Sequence, residues 1–546
     1  MRCGVRGACP PSARTRGAGT GGAGRDGGIV SRRAGPMTKV MLAGGGARAR
    51  VGRSVRRLAR GHIAMFRTSL VALVATLLPA LALAPAHAAD APAGRSASRF
   101  VQDPYPSTYR RIPSPPVLIQ GATVLTGTGT RLDDADVLMR DGAIVAVGPR
   151  LEAPADAIRV DGRGKWVTPG LIDVHSHLGV YPSPGVSAHS DGNEATSPTT
   201  PNVWAEHSLW PQDPGFDTAL AGGVTSLQIL PGSANLIGGR GVTVKNVRST
   251  SYQGMKFPGA PWGLKMACGE NPKRVYGERG GPSTRMANVA GYRAAFIDAT
   301  EYLRKNRPKA PAAQKRHWWQ SDAAPKDSNN DSGGKRDLKM DTLAGAINGD
   351  ILVHIHCYRA DEMQTMIDLA REFGFRIAAF HHGVEAYKIA DRLAAEGVCG
   401  ALWADWWGFK MEAFDGIQEN ILMVDRPKNG CAIVHSDSEE GIQRLNQEAA
   451  KVMAQGARIG MPVPPERAVR WITANPAKSM GILDRTGTLE PGKMADVVLW
   501  NGNPFSVYAR AEQVYIDGAR VYDRNDASRQ PVSDFMLGQT VQGGVR

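Results

Sequence analysis

Two histidines separated by one residue close an apolar run, Val167-Thr168-Pro169-Gly170-Leu171-Ile172-Asp173-Val174-His175-Ser176-His177. Side chains of a strand alternate faces, so residues at i and i+2 point the same way. His175 and His177 can therefore grip one cation from a strand end, and neutral imidazole is the commonest protein ligand for zinc-type ions. Further ligand types stand near the ends of other apolar runs. Ile351-Leu352-Val353-His354-Ile355-His356 repeats the His-x-His spacing, Arg376–His381 continues into His382, and Ala432-Ile433-Val434-His435-Ser436-Asp437 ends in a carboxylate. Gly263-Leu264-Lys265-Met266-Ala267 carries a lysine inside an apolar run, where charge is costly unless it is paired or chemically changed. A lysine amine reacts with carbon dioxide to give a carbamate, an anion able to bridge two ions. Each residue also has a bland reading. A lone strand histidine is commonly a satisfied core residue, Lys265 can be a salt-bridge partner, and Asp437 can cap the helix that follows. The joint pattern favours a metal site.

The elements that must position these groups alternate. Eight apolar runs read as strands: Leu171–His177, Val224–Leu230, Val242–Val247, Gly263–Ala267, Ile351–His356, Arg376–His381, Val398–Leu402 and Cys431–Ser436. Helical stretches such as Ala360–Phe373, Glu385–Glu396 and Glu440–Gln455 lie between them. Alternating strands and helices favour a parallel sheet, and eight units fit a closed α/β barrel whose chemistry sits at the carboxyl ends of its strands. Short strand-like runs between Val117 and Val160 and again between Ala495 and Gly518 flank this middle, pointing to a small β domain built from both ends of the chain. Lys305–Lys339 interrupts the alternation, and Asp327–Gly334 within it reads as a mobile surface loop.

The chain has 546 residues and a formal net charge of +15. Residues 1–64 carry thirteen Arg and one Lys against one Asp, and Arg67 follows, so 89–546 is close to neutral. A nucleic-acid reading thus rests on the first segment alone, and no nucleic-acid partner is expected. Residues 65–88 have a positive start, an apolar stretch from Ser69 to Ala84, and small residues before Ala89, the pattern of a secretory signal. It is short for a membrane span, the competing reading. The expectation is an exported, periplasmic or secreted protein, translated from Met65, with no stable membrane insertion after cleavage. Residues 1–64 otherwise read as a disordered basic extension. The remaining boundaries are a lead-in and first β piece at 89–168, a barrel at 169–485, a second β piece at 486–525 and a tail at 526–546. Cys268, Cys357, Cys399 and Cys431 are widely spaced in apolar surroundings and read as buried small residues, without a disulfide framework.

Pro169–His177, Gly487-Thr488-Leu489-Glu490-Pro491-Gly492-Lys493-Met494-Ala495-Asp496-Val497-Val498 and Gly263–Arg274 give the chain a resemblance to a known family. From about Leu118 to Tyr522 it resembles the metal-dependent amidohydrolase superfamily, in its imidazolonepropionase-like and Xaa-Pro dipeptidase-like branch. The resemblance implies a TIM-type (β/α)8 barrel beside a composite β-sandwich. It implies one or two divalent ions, zinc the expected one, held by His175, His177, Lys265, His354, His382 and Asp437. Lys265 corresponds to a lysine that is N6-carboxylated and bridging in binuclear members, and Lys245 is its rival. His356 competes with His354, and His381 with His382, although the His-Gly-Val-Glu-Ala-Tyr-Lys context favours His382. Asp437 corresponds to a ligand that also shuttles protons.

The implied chemistry is hydrolysis of a carbon–nitrogen bond in a small molecule by metal-activated hydroxide. Lactone or phosphotriester hydrolysis on the same centre, and a metal-free scaffold of the same fold, are the alternatives. Trp403, Trp406, Trp407 and Phe409, with Lys410 and Glu412, stand where a pocket would receive an apolar group beside a charged one. Arg285 is a candidate for binding a carboxylate. His356, Trp407 and Arg285 are thus the substrate-contact candidates. A dipeptide, an N-acyl amino acid and a cyclic amide all fit, and symmetric self-association is the default expectation.

Overall fold

The computed structural model describes residues 100, 102–183, 185–306, 336–406 and 408–530. The basic extension, the signal segment, the loop Asp327–Gly334, Trp407 and the tail beyond residue 530 lie outside the described residues. The strands, in chain order, are β1 (Val117–Leu125), β2 (Arg131–Arg140), β3 (Ala143–Gly148), β4 (Ile158–Asp161), β5 (Trp166–Pro169), β6 (Leu171–Ser176), β7 (Val224–Ile229), β8 (Ile237–Lys245), β9 (Gly263–Ala267), β10 (Leu352–His356), β11 (Ile377–His381), β12 (Cys399–Leu402), β13 (Ala432–Val434), β14 (Val497–Trp500), β15 (Ala511–Ile516) and β16 (Ala519–Asp523). They form two sheets. One runs β16-β15-β14-β5-β1-β2-β3 with β4 also paired to β1, so both ends of the chain share it. The other runs in sequence from β6 to β13.

The second sheet is a nearly closed barrel, and the fold is mixed α/β. Its edges meet through Asp437 N–H, which donates to the His175 carbonyl at 3.1 Å. Asp173 strengthens that seam by accepting from the Ser436 amide at 3.2 Å and from the Ser436 hydroxyl. Ile172 and Val174 alternate with these inward groups and cluster with Ala477, Met480 and Ile482, so one face of β6 builds core while the other carries chemistry. The helices follow ordinary cap logic. Asp213 accepts from Gly215 N at the start of Pro214–Ala221, and Gly374, at φ +79°, ends Ala360–Phe373.

Two expectations are corrected. The sheet is not wholly parallel, because β8 pairs antiparallel with both β7 and β9. Only residues 230–236 separate β7 from β8, which suffices for a hairpin but not for a helical crossover. The strand accordingly begins earlier than Val242 and ends at Lys245. The cysteines are also paired: Cys268 with Cys357 at a Cα separation of 5.2 Å, and Cys399 with Cys431 at 4.6 Å. Each pair joins neighbouring strand ends, a proximity that sequence separations of 89 and 32 do not announce. Replacing Cys399 and Cys431 together by Ser is expected to cost about 3–4 kcal/mol by the loop-closure relation, read as a lowered thermal midpoint. An unchanged midpoint would contradict it. No helix among the described residues is long and apolar enough to cross a membrane.

Candidate metal centre

The strand ends bring most of the predicted groups together. His177 Nε2 lies 3.2 Å from both His175 Nε2 and Asp437 Oδ1, and His175 Nε2 lies 3.4 Å from the same oxygen. His382 Nδ1 is 3.7 Å from Asp437 Oδ2. His175, His382 and Asp437 present ligand atoms that all fall within 4.8 Å of one another, a group able to hold a metal ion. His177 Nδ1 lies 2.8 Å from the Leu230 carbonyl, so that nitrogen carries the proton and Nε2 keeps its lone pair. Side-chain exposure is 18% for His177 and 23% for Asp437, while His175 is fully buried, so the group opens to solvent on one side only.

Backbone geometry explains why both candidates at 381–382 reach the interior. Alternation would send consecutive side chains to opposite faces. His381 ends β11 in register with His356 of β10 and points inward with it. His382 then adopts φ +69°, a left-handed conformation unusual for a residue with a Cβ, which turns its ring back toward Asp437. Asp437 itself sits at φ +50°. Strained backbone at the two residues that meet across the barrel mouth is a frequent mark of function.

Burial sets the protonation states. Desolvation holds His175, His356, His381 and His382 well below the ordinary histidine range, with the Lys265 charge acting in the same direction. It lowers His354 to about 3 and His435 to about 4. These rings are therefore neutral at physiological pH and each offers one lone pair. The donor set fits a divalent ion such as zinc. His356 Nδ1 and His382 Nδ1 are buried without a hydrogen-bond partner among the described residues, which buried polar atoms seldom are. Lys265, fully buried in register with His354, donates to the Pro231 carbonyl at 2.9 Å, and desolvation lowers its amine to about 7.

The remaining candidates fall elsewhere. Lys245 ends the reversed strand, at the opposite end of the barrel, where it pairs with Asp517 at 2.7 Å and Asp496 at 3.2 Å. Arg285 is held by Glu362 at 3.0 Å and by Glu412, which commits its guanidinium within the chain. The His354 ring lies 5.1 Å from that of His381, tilted at 55°, one layer deeper than His356, whose ring lies 4.8 Å from that of His382. Trp403 stacks on His382 at 4.3 Å and on Trp406 at 5.2 Å. Tyr358, Trp403, Asp405, Trp406, Phe409 and Asp437 line a cavity of about 430 Å³. A separate cavity of about 350 Å³ at the flanking sheet, beside Val117, Tyr515 and Arg520, holds none of these groups. Sequence reasoning passed over His435, although His435-x-Asp437 repeats the spacing of His175-x-His177. It also passed over Tyr358 and the Asp173–Ser436 seam.

The chain is 37% identical to an amidohydrolase from Thermotoga maritima of known crystal structure, covering 75% of this chain and 100% of that one, with a TM-score of 0.65. The chain belongs to the amidohydrolase superfamily. A model described as "Amidohydrolase family" matches residues 437–522, which begin at the candidate aspartate. Amidohydrolase tasK of Hapsidospora irregularis is 33% identical over 439 residues, 75% of this chain and 43% of that protein, so the chain spans under half the length of this relative. An imidazolonepropionase of Pseudomonas aeruginosa is 26% identical over 407 residues, 70% of this chain and 90% of that one. The family assignment agrees with the alternation of elements and the barrel-like sheet.

Proposed function

We propose that the protein is a metal-dependent hydrolase that cleaves an amide, peptide or cyclic amide bond in a small molecule. The observation that carries this reading is the convergence of His175 Nε2, His177 Nε2 and Asp437 Oδ1, each 3.2–3.4 Å from the others, beside His382 and open to solvent on one side. His175, His177, His382 and Asp437 would hold one divalent ion, zinc the expected one. Lys265, as its carbamate, and His356 in place of His354 complete a second position. An ion in this centre lowers the pKa of water and polarises a carbonyl group.

The chain's own groups do the rest. Asp437, at the mouth, accepts the proton released as water attacks and returns it to the departing nitrogen. The wall of Tyr358, Trp403, Trp406 and Phe409 receives an apolar substituent and keeps water from it. Lys410 lies 4.3 Å over the Tyr358 ring, bonds Asn271 Oδ1 at 3.0 Å and pairs with Glu270 at 3.4 Å, which places a cation beside that wall, in the role expected of Arg285. The preferred substrates are therefore dipeptides or N-acyl amino acids with an apolar side chain. Their hydrolysis should stop under a strong chelator and return with Zn(II). Turnover indifferent to chelation, or faster turnover of lactones or phosphotriesters than of any amide, would defeat the proposal. Replacing Trp403 by Ala should raise KM for apolar substrates roughly tenfold or more, the effect of losing a large aromatic contact. An unchanged KM would remove the wall from substrate binding.

The same reading takes the sheet shared by both chain ends as the family's composite β-sandwich. It also takes the protein as exported, which the two disulfides support because thiols pair and persist in oxidising compartments. A mature N-terminus at Ala89 is the expected result of protein sequencing.

A further inference from the structure

Behind His175 the barrel holds a row of imidazoles. His175 Nδ1 lies 2.8 Å from His381 Nδ1, and His381 Nε2 lies 2.9 Å from His354 Nδ1. All three rings are fully buried. His354 Nε2 has no protein partner, and neither polar atom of the buried Gln228 amide has one. Gly263 lies between these two side chains. A Cβ at that position would stand 3.1 Å from His354 Cδ2 and 2.8 Å from Gln228 Nε2, so the missing side chain is what leaves them room.

A neutral imidazole has one N–H and one lone pair. Two nitrogens in hydrogen-bond contact must supply one of each, so fixing the proton on one ring fixes it on the next. The row has two proton orders. In one, His175 Nδ1–H donates to His381 Nδ1, His381 Nε2–H donates to His354 Nδ1, and His354 Nε2 carries the remaining proton. That order leaves His175 Nε2 as a lone pair facing His177 and Asp437. The reverse order puts a proton on His175 Nε2 and closes that atom to a cation. A ligating histidine characteristically donates its other N–H to an acceptor behind it, as His177 does to the Leu230 carbonyl. For His175 the acceptor is another imidazole.

We propose that His381 and His354 are positioning residues and not ligands, forming a proton-ordered row that holds the His175 Nε2 lone pair toward the metal position. The inference rests on the metal-dependent reading above. It gives a reason why His354 does not ligate: one of its nitrogens accepts from His381 and the other carries the proton.

The test uses the full chain and two readouts, Zn(II) affinity by competition with a chromophoric chelator and the visible spectrum of the Co(II)-loaded protein. His381→Phe keeps a ring but removes the acceptor. It should weaken Zn(II) binding roughly 10- to 100-fold and shift the cobalt bands, while the number of ions per chain stays that of the wild type. His381→Asn restores an acceptor toward His175 and should recover most of the affinity and the wild-type spectrum. His354→Phe should weaken binding without removing an ion, unlike His175→Ala. Thermal unfolding of each variant establishes that it is folded. Wild-type affinity and spectrum in His381→Phe, no recovery in a folded His381→Asn, or loss of an ion in His354→Phe would each overturn the inference. A wild-type chain that binds neither Zn(II) nor Co(II) would overturn the metal reading itself, and this inference with it.

Discussion

Asp437→Asn is expected to retain much of the bound metal and to lose on the order of 10³-fold in kcat, within the range for removal of a general acid–base group. The two side chains have nearly the same shape. Asn also tolerates the left-handed backbone, here φ +50°, as readily as Asp, so the strand end keeps its geometry. The amide oxygen can still face the cation position shared with His175 and His177. What the amide cannot do is take a proton from the attacking water and carry it to the leaving nitrogen. The expected signature is therefore a fall in kcat with little change in KM or in metal content. A variant with near-normal kcat would remove Asp437 from the proton path.

Lys265→Met should lower the metal content from about two ions to about one, with a matching loss of turnover, because it removes the group proposed to bridge a two-ion site. Lys265 is fully buried, and its one hydrogen bond runs to the Pro231 carbonyl. Desolvation brings its amine to about 7, so a large share is neutral near physiological pH, the form that adds to carbon dioxide with loss of a proton. The same burial gives the metal-free protein a distinctive pH dependence. The folded-state value lies below the ordinary 10.5, so between about 7 and 10.5 the unfolded chain binds more protons than the folded one. Stability from this group therefore rises with pH across that window, and its full penalty applies below about 7. Metal-free Lys265→Met lacks the penalty and should exceed the wild type in thermal midpoint most at low pH, the two converging near pH 10. A midpoint difference flat with pH, or an unchanged metal count, would contradict this account of Lys265.

The recurrence of ligand types at apolar strand ends made much of the candidate centre legible before any coordinates. Period-two alternation is a local property, so His175-x-His177 and His354-x-His356 could be read as same-face pairs from spacing alone. What separates His354 from His356 is depth in the barrel, which depends on the register of β10 against β11 and not on the strand's own pattern. The inward turn of His382 comes from a single backbone rotation, which an apolar run followed by His-His-Gly does not encode. Lys245 looked equivalent to Lys265 until the direction of β8 was known; a short hairpin reverses that strand and carries Lys245 to the other end. The cysteine pairs and the ion pairs of Arg285 escaped the sequence for one shared reason. The partners lie between 32 and 127 residues apart and meet only in the folded sheet. Strands β4 and β16 were missed, and β5 was read as one run with β6, because short strands stabilised by their neighbours carry little pattern of their own.

Elemental analysis of the purified chain measures whether these strand ends hold catalytic metal. After supply of zinc and removal of loosely bound ions, the account predicts about two ions per chain, lost when His175 and His177 are both replaced by Ala. A chain that retains no metal under those conditions, or one that holds the same metal after both histidines are removed, would contradict it.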